Sequence, residues 1–146
     1  MKSITAEEAT ERLALTRVDV AVSLDLSLRE RFSLYLQLTK PRITFMIVLV
    51  AAAAFRLADE GALHLTGLIH SLIGITLLSS GIATLNQYME RDLDLLMKRT
   101  ASRPLPSGKL PAVNALVFGV VLTIFGEVYL TVFVNPLTAL LGVLVI

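Results

Sequence analysis

The chain has 146 residues, of which 55% are hydrophobic and 17% charged, with a formal net charge of +1. A mean hydropathy of +0.74 is too apolar for an ordinary soluble domain of this length. The near-neutral balance, with no basic patch interleaved with aromatic residues, argues against a nucleic-acid partner. The lack of cysteine excludes disulfides, thiolate metal sites and thiol nucleophiles.

Residues 1–38 predict a cytoplasmic N-terminal tail. Acidic residues occur as early as Glu7 and Glu8, and no compact apolar segment precedes a small-residue cleavage site. Both features argue against a secretory signal, and the acids also argue against a mitochondrial transit peptide. The segment 26–38 mixes leucines and aromatics with charged residues, a composition that favours an amphipathic helix lying at the membrane surface.

Three apolar segments, 43–58, 65–89 and 112–134, predict membrane-spanning helices. A helix of about 20 residues crosses the hydrocarbon core, and the shorter first segment reaches that length because flanking basic side chains extend to the interfaces. An ionisable residue, Glu127, lies inside the third segment, and we interpret it as a protonated or paired structural acid. The predicted fold class is an all-α, polytopic transmembrane helical bundle.

A fourth apolar segment follows the helix break at 135–136 and is still apolar at Ile146. Its ten residues from Leu137 rise about 15 Å as a helix, about half of a hydrocarbon core. This predicts that residues 39–146 are the N-terminal part of a larger bundle, truncated at the C-terminus.

The loops predict the orientation of the chain. The segment 91–111 carries five basic residues against two acidic ones, whereas 56–65 carries one Arg against two acids. Since basic loops stay on the cytoplasmic side, both the N-terminus and the segment 91–111 are expected in the cytoplasm.

Asn86, Glu90 and Asp94 are spaced by four residues at the cytoplasmic end of the second span. Each step of four drifts by only about 40° around a helix, so the three oxygen-bearing side chains are expected on one face. Such an array suits Mg²⁺, which takes one or two carboxylates, some water and substrate phosphates. These three residues are the candidate catalytic residues and metal ligands, and we name them the oxygen stripe.

Basic residues next to the oxygen stripe are candidates for binding the diphosphate of a substrate. Lys98, Arg99 and Arg103 follow the stripe, and Lys40 and Arg42 precede the first span. Arg binds phosphate oxygens in bidentate fashion. The alternative is that these charges only anchor helices at the interface.

The segment 86–103 resembles the motif of the UbiA-type prenyltransferases, which reads Asn-Asp-x-x-Asp-x-x-x-Asp, with Gln87 replacing the first Asp. It is most similar to the heme O synthase branch, whose fixed positions are all present: Asn86, Tyr88, Glu90, Arg91, Asp92, Asp94, Met97, Arg99, Thr100 and Arg103. The segment 38–42 also resembles that branch's entry to its first helix.

The resemblance implies a nine-helix fold, of which this chain holds the first three to four helices, in the inner (plasma) membrane of a bacterium. It implies Mg²⁺-assisted transfer of a farnesyl group from farnesyl diphosphate to a vinyl group of heme b, giving heme O. Heme A synthase or terminal oxidase assembly is the implied downstream partner. Since the branch completes its metal site with a second acidic motif in its later half, the chain alone is expected to be inactive.

Two alternatives stay open at this point. Another UbiA-type enzyme, acting on an aromatic or quinone precursor, also carries Arg-Thr-x-x-Arg-Pro-Leu, although Gln87 and Met97 favour the heme branch. A non-catalytic helical scaffold would direct the oxygen stripe at lipid headgroups. His64 and His70 invite heme ligation, since His is a common heme ligand, but lone histidines are usually structural.

Overall fold

The computed structural model describes residues 27–58 and 64–144, so the predicted tail over residues 1–26 lies outside the described residues. The regular elements in these two stretches are helices, which confirms the all-α prediction. They are α1 (Leu28–Leu38), α2 (Pro41–Ala58), α3 (Leu65–Leu96), α4 (Ala112–Phe133) and α5 (Pro136–Val143).

Three of these helices, α2, α3 and α4, are long and apolar enough to cross a membrane. They coincide with the three predicted spans, except that α3 continues beyond the apolar segment to Leu96 and reaches 32 residues. The extension forms because residues 90–96 contain no Gly or Pro, and their leucines and acids are compatible with a helix. The oxygen stripe is therefore carried on the last turns of one continuous helix.

Helices α3 and α4 pack closely through small residues. A Cβ added at Gly126 would lie 2.6 Å from the backbone nitrogen of Leu78, and one added at Gly81 would lie 2.6 Å from the backbone nitrogen of Thr123. Only glycine permits such an approach of two helix backbones. Close packing through small residues is a common way for membrane helices to associate, since lipid offers no hydrophobic driving force between them.

The break at 135–136 separates α4 from α5, as predicted. The side-chain oxygen of Asn135 accepts a hydrogen bond of 2.9 Å from the backbone N–H of Thr138, and Pro136 occupies the first turn of α5. A proline is favourable there because its missing N–H would have no partner within the helix. Helix α5 then turns back against α4, and Ala139 joins Leu78 and Leu130 in a buried cluster.

A second buried cluster lies at the end of the bundle where α3 ends and α4 begins. Leu38 from the end of α1 packs with Leu105 and Leu110 from the α3–α4 loop and with Ala115 of α4. The segment 97–111 forms successive turns and bends. Because this loop buries two leucines, it is fixed against the helix ends, and the arginines that it carries are fixed with it.

Candidate functional site

The turn after α3 folds back onto the last residue of the oxygen stripe. The Thr100 hydroxyl donates to the backbone oxygen of Asp94 over 3.0 Å, and the Arg103 guanidinium donates to Asp94 Oδ2 over 2.7 Å. The side chain of Asp94 is only 4% exposed, whereas that of Arg103 is 32% exposed. The arginine therefore neutralises an enclosed carboxylate, while its own side chain stays partly exposed.

The structure separates the oxygen stripe into two parts. Asn86 and Glu90 are exposed on the surface of α3, whereas Asp94 is buried beneath the turn that Arg103 and Thr100 form. Helical spacing does place the three on one side of α3, but the folded loop covers the last of them. Sequence spacing could not indicate this, since it contains no information on where a following loop packs.

The donor set fits part of a site for a divalent cation. Within residues 27–58 and 64–144, no group of three or more His, Cys, Asp or Glu side chains comes together in a way that could hold a metal ion. Mg²⁺ does not need such a cage, because it takes one or two carboxylates and completes its octahedron with water and substrate phosphates. Glu90 and Asn86 offer accessible oxygens for this, and Asp94 lies one turn beyond Glu90.

The candidate phosphate-binding cations fall into two groups. Lys98, Arg99 and Arg103 lie on the turns after α3, with the first two exposed. Lys40 and Arg42 lie at the junction of α1 and α2. Of these five cations, Arg103 is the one for which the described residues show a hydrogen bond to the oxygen stripe.

Gln87, which replaces the first Asp of the general motif, joins α3 to α1. Its side-chain amide donates hydrogen bonds to the backbone oxygens of Gln37, over 3.3 Å, and Leu38, over 3.0 Å. The residue is only 3% exposed. Sequence reasoning missed this contact, because a bond between residues about 50 positions apart has no local signal.

The neighbouring charges and aromatics are arranged around the end of α3. The Arg91 guanidinium lies 4.3 Å from the centre of the Tyr88 ring, a cation–π contact, and Arg91 Nε lies 3.6 Å from Asp92 Oδ1. Asp92 is thus paired with an arginine and exposed, away from the oxygen stripe. Tyr88 packs against the buried cluster that contains Leu38 and Ala115.

A groove of about 1040 Å³ lies between α1, α2 and α4, over the face of α3 that carries Thr76 and Ser80. At 100° per residue, Ser80 lies about 80° around the helix from Glu90 and about 120° from Asn86. Thr76, however, lies about 40° from Glu90 and in line with Asp94, so the face of α3 under the groove overlaps the side that carries the oxygen stripe. The apolar walls of the groove include Phe45, Val48 and Phe118, among other residues.

The ionisable residues at the far end of the spans take part in packing. His70 Nδ1 lies 2.7 Å from the Tyr129 hydroxyl, and its ring stacks on Phe133 at 5.2 Å. Glu127 has one buried carboxyl oxygen without a partner among the described residues. His70 precedes Glu90 by twenty residues, about 30 Å along the helix, so His70 lies far from the oxygen stripe.

Three helices long and apolar enough to cross a membrane, with a folded, charge-bearing loop between α3 and α4, define a polytopic helical membrane protein. The chain belongs to the UbiA prenyltransferase family, whose model matches residues 46–146. UbiA prenyltransferases generally use a divalent metal to bind diphosphate.

Curated relatives with similar sequences share one name. The chain is 45% identical over 117 residues to the "Protoheme IX farnesyltransferase" of Solibacter usitatus, covering 74% of this chain and 40% of the relative. It is 41% identical to the protein of that name from Colwellia psychrerythraea, over 73% of this chain and 35% of the relative. It is 39% identical to that of Mycolicibacterium smegmatis, over 80% of this chain and 38% of the relative.

The chain thus spans between 35% and 40% of the length of these three relatives. No solved structure matches the chain significantly.

Proposed function

We propose that this chain forms the N-terminal part of an enzyme that transfers a farnesyl group from farnesyl diphosphate to a vinyl group of heme b, giving heme O. The observation that carries the proposal is the segment 86–103. It combines an oxygen stripe, exposed at Asn86 and Glu90, at the end of a membrane-spanning helix with a folded loop of arginines. The names of the relatives support the same substrates.

The proposed transfer reaction requires the chain to stabilise a leaving group, the diphosphate. Cleavage of an allylic C–O bond leaves the electron pair, and hence negative charge, on the departing diphosphate. A divalent cation held by Asn86, Glu90 and Asp94 would supply Lewis-acid stabilisation of that charge. Lys98 and Arg99 lie exposed on the neighbouring turn, and their cationic groups suit the phosphate oxygens.

Arg103 connects the metal-binding and the phosphate-binding parts of this proposal. Its guanidinium is held by Asp94, so it is oriented before a substrate arrives. Because the side chain is partly exposed, we propose that a remaining N–H donates to a phosphate oxygen. Preorganised charge of this kind stabilises a transition state without reorganisation at the moment of reaction. Lys40 and Arg42 are proposed to add positive charge from the α1–α2 junction.

The apolar spans supply the second requirement of the reaction. An allylic cation reacts rapidly with water, and a cavity surrounded by membrane-spanning helices keeps bulk water away until the new C–C bond has formed. The carbocation that remains on the former vinyl group then takes up one water molecule and releases a proton, which gives the hydroxyl of heme O. We place the enzyme in the inner (plasma) membrane of a bacterium, with the N-terminus and the arginine loop in the cytoplasm. Heme A synthase or terminal oxidase assembly is the proposed recipient of the product.

The test uses a chimera in which this chain replaces the corresponding N-terminal part of the Solibacter usitatus relative. The chimera is expressed in cells that lack their own heme O synthase, and extracted hemes are separated and identified by mass. We expect heme O from the chimera, and a loss of about a hundredfold or more in its rate of formation with Glu90→Gln. Asp92→Asn removes an exposed carboxylate off the stripe and serves as the matched control.

Two outcomes would contradict the proposal. A chimera that inserts in the membrane but forms no heme O would show that this chain lacks the proposed activity. Equal rates of heme O formation by the Glu90→Gln and Asp92→Asn chimeras would show that Glu90 takes no specific part in the reaction. The amount of chimera in the membrane is measured in each case, so that rates are compared per molecule.

A further inference from the structure

Both hydrogen bonds of the Gln87 side chain are donated by its NH2 group, not accepted by its carbonyl oxygen. Its Nε2 donates to the backbone oxygens of Gln37 and Leu38 in the last turn of α1. The last four carbonyls of a helix have no partner within it and take donors from elsewhere. The carbonyl of Gln37 also accepts from the backbone N–H of Lys40 over 3.3 Å, and the shorter bond from Gln87 goes to that of Leu38. With only 3% of the residue exposed, Gln87 supplies such a donor from within the packed end of α3.

A carboxylate could not do the same at this position. Ionised Asp or Glu only accepts hydrogen bonds, so it has no N–H to offer a carbonyl oxygen. It would also add negative charge next to the C-terminus of α1, where the helix dipole is already negative. The contact therefore selects an amide side chain at Gln87.

Gln87 binds the chain where α1 ends and turns into α2. We call residues 37–42 the elbow: they comprise the last two residues of α1, the connection over residues 39–40 and the first two residues of α2. Lys40 has a φ of 47°, a left-handed conformation that is uncommon for residues other than glycine. The Thr44 hydroxyl donates to the backbone oxygen of Thr39 over 2.8 Å and fixes the elbow from the α2 side. Gln87 fixes it from the α3 side, beside the exposed Asn86.

We propose that Gln87 is a positioning residue, which holds the elbow and its cations Lys40 and Arg42 against the cytoplasmic end of α3, and that it is not a ligand of the metal. The consequence for substrate binding rests on the proposed function. The docking of α1 onto α3 does not, because it depends only on the hydrogen bonds between Gln87 and the end of α1.

The first experiment measures amide hydrogen exchange in the complete 146-residue chain in detergent micelles or nanodiscs. Gln87→Leu removes both donors, and Gln87→Glu replaces them by acceptors. Both are expected to speed exchange in α1 by about tenfold or more, since two hydrogen bonds between elements are lost, while exchange in α4 stays unchanged. Gln37→Glu makes the same chemical change on an exposed side chain of α1, where it loses one hydrogen bond to the Ser33 hydroxyl, and it should speed exchange in α1 clearly less than the Gln87 variants do.

If Gln87→Leu or Gln87→Glu does not fold, exchange in α1 cannot be compared with that in α4. A more conservative substitution is therefore included. Gln87→Asn keeps both N–H donors on a side chain one methylene shorter, and it is expected to give a smaller rise in the exchange of α1. Unchanged exchange of α1 in Gln87→Leu and Gln87→Glu overturns the proposal. So does an equal effect from Gln37→Glu.

The second experiment measures kinetics in the chimera described above. A displaced elbow weakens binding of the diphosphate more than it impairs the chemistry. Gln87→Glu should therefore raise KM for farnesyl diphosphate about tenfold and change kcat by less than about threefold. A metal ligand behaves differently: a fall in kcat at unchanged KM, with a shifted Mg²⁺ requirement, would overturn the positioning role. If the chimera makes no heme O at all, the proposed function fails, while the exchange experiment still decides how α1 is held.

Discussion

The carboxylate of Asp94 is enclosed by its own chain, with the Arg103 guanidinium at 2.7 Å and a side-chain exposure of 4%. A pair of this kind is costly to break from one side, because the remaining carboxylate stays buried without a counter-charge. The Thr100 hydroxyl adds a hydrogen bond to the backbone of the same residue and closes the turn. The ion pair thus sets the shape of the loop as well as its charge.

We expect Arg103→Met to destabilise the folded chain by about 2–3 kcal/mol, since the partly exposed arginine lowers the usual cost of opening a buried pair. Lys98→Met, an exposed cation on the same turns, should cost less than about 0.5 kcal/mol. Unfolding by denaturant in mixed micelles measures both. The double variant Asp94→Asn with Arg103→Met should be less destabilised than the sum of its parts, and simple additivity would contradict a direct pair.

At the scale of elements, the packing of α3 on α4 depends on positions without a Cβ. At Gly126, an added methyl group would meet the backbone of Leu78 at 2.6 Å, which a change of side-chain rotamer cannot relieve. At Gly67 it would meet only the ring of Phe55, at 3.4 Å. The two glycines provide a matched pair within the spans.

Gly126→Ala is therefore expected to destabilise the chain by about 1–3 kcal/mol, the usual cost of overpacking a close contact. Gly67→Ala should be nearly neutral or slightly stabilising, since it removes a flexible residue from a helix. The comparison is made by thermal or denaturant unfolding of both variants in the same detergent. Equal effects would show that α3 and α4 do not approach as closely as described.

The start of α1 provides a pH-dependent element. Ser27 and Glu30 form a capping box, in which each side chain bonds to the backbone of the other residue. The hydrogen bonds from Ser27 lower the pKa of Glu30 below its ordinary value. A lowered pKa means that the contribution to helix stability is complete above the unfolded pKa and is lost as the pH falls through the folded one.

A spin label at Leu28→Cys, on the exposed first residue of α1, reports this loss. The chain contains no native cysteine, so labelling is specific. We expect mobility of the label to rise as the pH falls through the acidic range in which Glu30 becomes protonated. Glu30→Gln should show a constant mobility over the same range, and an equal pH response in that variant would assign the effect to another group.

At the scale of the whole molecule, the length of α3 determines where the oxygen stripe lies relative to the membrane. Its 32 residues extend over about 48 Å, longer than a hydrocarbon core of about 30 Å. The surplus lies at the end that carries Glu90 and the arginine loop, where charged side chains reach the interface. In our proposal that end faces the cytoplasm, because five basic residues oppose two acidic ones in the segment 91–111.

The orientation predicts which positions an impermeant thiol reagent reaches. Ser102, in the arginine loop, and Thr66, at the start of α3, are both exposed. In intact cells, Thr66→Cys should be labelled from outside, and Ser102→Cys should react only after the membrane is opened. The opposite pattern would reverse the proposed topology and place the oxygen stripe outside the cell.

Much of the fold was predictable because its causes are local. Runs of apolar residues determine the three spans, and Asn135-Pro136 determines the break between α4 and α5 through capping and a missing N–H. The extension of α3 beyond its apolar segment did not follow from hydropathy, which marks the membrane boundary rather than the end of a helix. The spacing of the oxygen stripe assumed a helix as far as Asp94, and the lack of a helix-breaking residue in 90–96 agrees with it.

The sequence by itself determined the class of the protein, the number of its described spans and the segment 86–103 that carries its family resemblance, because periodicity, hydropathy and motif spacing are properties of neighbouring residues. Tertiary structure alone decided that Arg103 covers Asp94, that Gln87 binds the end of α1 and that Glu90 stays exposed. These outcomes depend on how a loop and a distant helix pack around α3. Packing is a relation between residues far apart in the chain, and no local pattern encodes which polar group will find which partner.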